Sequence, residues 1–263
     1  MTQLPPTARG LVLDMDGVLW RDADPIGDLG AIFMSIAARG LRVVLCTNNS
    51  TRTPEQYLER LRGFGVGLEP WQIITSSGAL AHALSQRFPA RGDVYVLGEH
   101  GLTEALRESH FRPISDGEAT GAVAVAMGMD RGITFAKLRA ATLLIRGGVP
   151  FYATNPDRTF PTPEGLIPGA GALIAALATA TDVEPIVVGK PQPAMIELAL
   201  ERLATPRDDT FVVGDRLETD IAAGQAVDCP TALVLSGVST REMAAAWRPP
   251  LEIIAADLTE LVG

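Results

Sequence analysis

Four short apolar runs constrain this chain more than any other feature: LVL at 11–13, RVVLC at 42–46, PIVV at 185–188 and TFVV at 210–213. Each is rich in β-branched residues and too short for a helix. None shows the apolar–polar alternation of a strand with one face in water. Such runs read as strands buried on both faces, the arrangement of a parallel sheet covered by helices. Helical patterns lie between them. DLGAIFMSIAARG, 28–40, has apolar residues at helical spacing and stops on Gly40. TPEQYLERLRGFG, 53–65, opens with Thr53 as a cap and Pro54 at the first helical position, then stops at Gly63 or Gly65. PAMIELALERLA, 193–204, follows Lys190 in the same way. This alternation predicts an α/β fold with a doubly wound parallel sheet.

The interval 80–180 has an alternation of its own. DVYVLG, GAVAVAMG and PFYATN read as strands; GLTEALRES, TFAKLRAATLLIRG and GAGALIAALATA read as helices. That is too much material for one loop. The expected organisation is a core domain of 1–79 and 181–263 with a smaller α/β domain, 80–180, inserted into it.

At 263 residues the chain is long enough for two such domains, and 47 % hydrophobic residues suffice for their cores. A net charge of −9 gives no general attraction for phosphate backbones, so a nucleic-acid partner is not expected. Any phosphate must be handled locally, with a cation. Two cysteines, Cys46 and Cys229, and three scattered histidines, His82, His100 and His110, do not make a zinc cluster. MTQLPPTARG lacks the apolar core of a secretory signal. The longest apolar run, GALIAALATA, is well short of the roughly 20 residues a membrane helix needs. A cytoplasmic protein without a membrane partner is the expectation.

In an open parallel sheet, ligands bind at the carboxyl ends of the strands. DMDG follows LVL, TNNS follows RVVLC, GKP follows PIVV and GDRLETD follows TFVV. Alone, each is ordinary turn or cap chemistry. GKP is not a phosphate-cradling Walker loop, because Pro191 stands where Ser or Thr is required and position 184 is Glu rather than Gly. Together the four ends supply carboxylates for a hard cation, hydroxyl and amide donors for an oxyanion, and one fixed positive charge.

In order, these segments resemble the four motifs of the haloacid dehalogenase (HAD) superfamily: D-x-D-G-[VT], Thr/Ser with Asn, Lys, and G-D-x-x-x-x-D. LDMDGVLW, TNNST, ATNPD and PGAGALIAAL further resemble subfamily IIA, the NagD-like and p-nitrophenylphosphatase-like phosphatases, over about 10–240. The resemblance implies a Rossmann-like core with a type C2 cap, here the insert 80–180. It implies a Mg²⁺-dependent phosphatase acting on a small phosphomonoester of the nucleotide, sugar phosphate, phosphoglycolate or pyridoxal phosphate class. In that reading Asp14 is the nucleophile, forming an aspartyl phosphate and splitting one hard step into two. Asp16 is the general acid and then the general base, so the doublet joins a nucleophile to a proton carrier in one crowded turn. Lys190 screens the charge between carboxylate and phosphate. Asp14 and Asp215, with the backbone carbonyl of Asp16, supply Mg²⁺ ligands, and Asp220 binds ligand waters or holds Lys190. Thr47, Asn48 and Asn49 meet the phosphate oxygens.

In the cap, YATNPDRTF at 152–160 is the most loop-like polar segment, with Asn155 and Phe160 the candidates for substrate contact; a plain Asn-Pro-Asp turn is the other reading. By the same resemblance, Asp16 separates the chain from dehalogenases, which lack this residue, and from P-type ATPases, which carry Thr there. Two alternatives stay open. A phosphotransferase or mutase would pass the phosphoryl group to an acceptor, but its usual helical cap does not fit into 17–41. A non-catalytic phosphate-binding module would be expected to have lost Asp14, Asp16 or Lys190. The expected partner is a small-molecule phosphoester, and a homodimer is compatible with it.

Overall fold

The computed structural model describes residues 1–115, 120–162 and 164–263. In chain order its strands are β1 (Gly10–Leu13), β2 (Trp20–Arg21), β3 (Asp24–Pro25), β4 (Arg42–Thr47), β5 (Ile73–Thr75), β6 (Asp93–Leu97), β7 (Arg112–Ile114), β8 (Ala124–Met127), β9 (Phe151–Ala153), β10 (Thr159–Thr162), β11 (Gly165–Pro168), β12 (Ile186–Val187), β13 (Thr210–Gly214), β14 (Thr231–Val234) and β15 (Ile253–Ala255). They fall into two compact units, one of residues 1–47, 54–74 and 190–263, the other of 48–53 and 75–189. The second unit is wider than the interval 80–180, and it takes in the short segment 48–53.

The first unit is built on a six-stranded sheet in the order β15-β14-β13-β1-β4-β5. β1 lies parallel between β13 and β4, with Leu13 opposite Val213 on one side and Leu45 on the other. β13, β14 and β15 continue the parallel pairing. Leu11, Leu13, Leu45 and Val213 are fully buried, and Ile32 and Ile36 pack into the same core from the helix Leu29–Ala38. That helix starts where Asp28 Oδ1 accepts the Ala31 N–H at 3.0 Å, and it ends before Gly40, whose φ of +67° suits glycine.

LVL, RVVLC and TFVV therefore enter one parallel sheet, as their composition predicts. PIVV does not. Its strand, β12, pairs with β9 at the edge of a second, five-stranded sheet ordered β12-β9-β8-β6-β7. Ile186 is half exposed there, because an edge strand in that position is covered on fewer sides. β5, β14 and β15 complete the first sheet instead.

This second sheet belongs to the second unit and is parallel in every strand pair described. Its core includes Tyr95, Leu97, Val125, Met127, Phe151, Ile145 and Leu177. Buried Asp130 is paired with Lys137 Nζ at 2.9 Å, and that ammonium also donates to the Gly132 carbonyl at 3.2 Å. β10 and β11 form an antiparallel hairpin that sets Phe160 opposite Ile167. Among the described residues, no helix is long and apolar enough to cross a membrane.

Candidate active site

Strand order dictates where a site can form. From β1 the chain moves to β4 and β5 on one side, and later to β13, β14 and β15 on the other. The order thus reverses between β1 and β13, and such a switch point opens a crevice at the carboxyl ends of the strands. Asp14 follows β1 there and donates its backbone N–H to the Val213 carbonyl at 2.9 Å. Asp215 follows β13, and Thr47, buried, ends β4.

Lys190 ties the cluster together. An ammonium has three protons to donate, and Lys190 Nζ directs them to Asp14 Oδ1 at 2.6 Å, Asp220 Oδ1 at 2.6 Å and the Cys46 carbonyl at 2.8 Å. A buried lysine is tolerated only when so paired. Burial alone would lower its pKa, but Asp14 and Asp220 outweigh that and hold it well above the ordinary lysine value. Asp220 is brought into place by a π-helical turn, Leu217–Ile221, in which Arg216 O accepts from both the Asp220 and the Ile221 N–H. Its second oxygen accepts the Arg216 N–H at 3.1 Å. Single π turns are frequent where a helix must present a functional side chain.

Asp215 is held from one side only. Oδ2 accepts the Val238 N–H at 2.7 Å, whereas Oδ1 is buried with no hydrogen-bond partner among the described residues. Burial, then the Asp220 carboxylate, push its pKa up to about 6 against the pull of the Val238 N–H. Asp14, its side chain 11 % exposed, is likewise raised well above the usual carboxylate range by burial, with Lys190 opposing and Asp220 and Asp215 adding. Oxygens of Asp14, Asp215 and Asp220 lie within 4.8 Å of one another. Three carboxylates facing one ammonium leave a surplus of two negative charges, and a buried oxygen of Asp215 lacks a donor among the described residues. An all-oxygen donor set of this charge fits a hard divalent cation such as Mg²⁺.

Asp16 is not one of the three clustered carboxylates, although its charge acts on Asp14. It is exposed rather than crowded, and its Oδ1 accepts the Trp20 Nε1–H at 2.9 Å. Asn48 and Asn49 group with the second unit. Asn49 Oδ1 accepts from the Thr51 N–H at 2.9 Å and from its hydroxyl at 2.8 Å, a local turn. The Asn48 carbonyl accepts from Ser76 Oγ and from Asn155 Nδ2. Asn155 is buried, and its Oδ1 accepts the Asp157 N–H at 3.2 Å, which is the Asn-Pro-Asp turn. Phe160 is partly buried in its hairpin.

Sequence reasoning did not single out the residues that enclose Asp215. A Cβ on Gly237 would lie 1.9 Å from Asp215 Oδ2, and one on Gly17, φ +87°, would lie 2.5 Å from it. Gly17 stands in DMDG after LVL, whereas Gly237 follows TALV, a run with too little pattern to mark it. Buried Cys46 contributes its carbonyl, not its thiol, whose pKa burial pushes up to about 12.

Family models of two descriptions match the chain, "Haloacid dehalogenase-like hydrolase" over residues 11–112 and "HAD-hyrolase-like" over 187–261. The 5'-nucleotidase YutF of Bacillus subtilis is 36 % identical over 236 residues, 90 % of each chain. The p-nitrophenyl phosphatase of Archaeoglobus fulgidus superposes with a TM-score of 0.90 at 34 % identity, covering 97 % of this chain and 98 % of that one. The Mycobacterium tuberculosis glycerol phosphate phosphatase Rv1692, solved with magnesium, superposes at 0.89 and 31 %, covering 98 % of this chain and 78 % of its own. The chain belongs to the HAD-like hydrolases, in their NagD-like and p-nitrophenylphosphatase-like branch of phosphoric monoester hydrolases.

Proposed function

We propose that this chain is a Mg²⁺-dependent phosphatase that hydrolyses a small phosphomonoester through an aspartyl phosphate on Asp14. The observation that carries the reading is the buried cluster in which Lys190 spans Asp14 and Asp220 while Asp215 keeps one oxygen without a donor among the described residues. The cation would be held by Asp14 and Asp215 with the Asp16 carbonyl, and Asp220 would hold Lys190. When bound, it supplies positive charge that neutralises the phosphoryl oxygens.

Asp14 attacks phosphorus and the bond from phosphorus to the ester oxygen breaks, while Asp16 gives that oxygen its proton. Asp16 then takes a proton from water as the water attacks the aspartyl phosphate, releasing inorganic phosphate and the Asp14 carboxylate. Lys190, with every proton engaged, keeps the attacking carboxylate oriented. Nucleotides, sugar phosphates, phosphoglycolate and pyridoxal phosphate are the substrate classes to test, and the names of the relatives span nucleotide, glycerol phosphate and aryl phosphate esters.

Phosphate release from p-nitrophenyl phosphate should require Mg²⁺ and stop on chelation. Asp14→Asn should keep less than a few per cent of that activity with its thermal unfolding intact. Retained turnover in that variant, or activity indifferent to chelator, would remove Asp14 and the cation from the mechanism.

A further inference from the structure

Asp16 is exposed, and an exposed carboxylate samples several rotamers unless something holds it. A positioned acid–base loses efficiency with displacements of about 1 Å. The turn 16–20 supplies a restraint. The Gly17 N–H donates to the Trp20 carbonyl at 2.8 Å, which closes the turn, and Trp20 Nε1–H donates to Asp16 Oδ1 at 2.9 Å. Trp20 itself is fully buried. Its ring is stacked on Tyr57 with 5° between planes and a centroid separation of 6.3 Å, and Phe64 lies tilted at 6.4 Å. The Arg60 guanidinium sits 4.0 Å over the indole and donates to the Asp22 carbonyl. A cation over the ring face is attracted to it and draws electron density from it, which strengthens the N–H as a donor.

We propose that Trp20 is the positioning residue for Asp16, anchoring Oδ1 so that Oδ2 is the oxygen that gives and takes the proton. An indole N–H donates and never accepts. The anchored oxygen is therefore the acceptor in both halves of the reaction, and the proton is carried on the other. The role of Trp20 is exerted through Asp16. The proposal rests on the phosphatase reading above.

Trp20→Phe keeps an aromatic ring in the stack and removes the donor. A positioned acid–base contributes about 10²–10⁴-fold, and a loosened one should lose roughly a tenth of that range or more. The expected result is a fall in kcat of about tenfold or more on glycerol 2-phosphate, with KM within about twofold. On p-nitrophenyl phosphate, whose leaving group needs no proton, the variant should release about one nitrophenolate per chain quickly and then turn over slowly. Unchanged kcat, or an equal loss on both esters without a burst, would overturn the proposal. If the variant unfolds, benzothienylalanine at position 20 keeps the indole shape without the N–H and must give the same pattern. Wild-type activity and Asp14→Asn separate the two levels. If wild type needs Mg²⁺ and Asp14→Asn is dead while the position-20 variants behave as wild type, only the role of Trp20 fails. If wild type releases no phosphate, the phosphatase reading fails and takes the proposal with it.

Discussion

Asp215 and Asp14 carry protons more tightly in the folded chain than an unfolded chain would. Burial raises both, Asp215 to about 6 from an ordinary value of 3.8. A folded-state value above the unfolded one means the native state binds more protons in between. The stability from these groups is complete below the unfolded value and is lost as pH rises through the folded values. Asp93 and Glu99, held below the usual range by hydrogen bonds from Arg112 and Arg131, act in the opposite sense but only at lower pH. The metal-free protein should therefore lose urea resistance as pH rises from the ordinary carboxylate value of 3.8 through the Asp215 value of about 6. A divalent cation replaces the lost protons, so Mg²⁺ should raise the urea midpoint more at pH 7 than at pH 5, with proton release on binding. An equal Mg²⁺ effect at both pH values would argue against the carboxylate cluster as the binding site. Much of this site was legible as residues: Asp14, Lys190, Asp215 and Asp220 were all named from their places after apolar runs. The exposure of Asp16 and its tie to Trp20 were not, because a side-chain direction four residues away depends on how the turn closes.

The loop after β14 and the turn after β1 work as elements only because they carry glycine against Asp215. Gly237→Ala would drive a methyl group into Asp215 Oδ2. It should cut phosphate release by more than about tenfold, in the range attributed to lost electrostatic preorganisation, and shrink the thermal shift produced by Mg²⁺. Gly63→Ala is the control, since nothing lies within 4 Å of its Cβ at the end of the helix Pro54–Gly63. It should stabilise by about 0.4–1 kcal/mol through the unfolded state, and a loss of activity there would mean that the Gly237 result is not local. At this scale the doubly buried runs were readable, as LVL, RVVLC and TFVV show. PIVV has the same composition yet sits in the other sheet, because pairing partners are set by distant segments. TALV and IIA, only three or four residues each with alanine among them, carry too little pattern to stand out.

At the scale of the whole molecule, the segment 48–53 belongs with 75–189 although it directly continues β4. Within that unit, Ser76 Oγ and Asn155 Nδ2 both donate to the Asn48 carbonyl, which ties three stretches of chain together. Asn155→Ala should therefore cost about 1–3 kcal/mol, the penalty for stranding buried polar groups, and show it in thermal unfolding with losses shared evenly among esters. Phe160→Ala, in the hairpin, should instead change the ranking of esters more than the activity on p-nitrophenyl phosphate. An unchanged ranking would leave Phe160 as packing alone. The sequence pattern anticipated an inserted α/β unit but not its claim on 48–53, since a boundary of that kind is defined by contacts and not by composition. The two lysines of the chain are Lys137 and Lys190, and the ammonium groups of both are committed to carboxylates and carbonyls, Lys190 almost wholly buried and Lys137 mostly so. Acylating reagents attack only a neutral, accessible amine, so the native protein should resist labelling at either side chain. Each lysine lies in a different unit, and the mass shift of its peptide with time then acts as a clock for the opening of that unit alone. Mg²⁺ should slow the clock at Lys190 and leave the one at Lys137 unchanged.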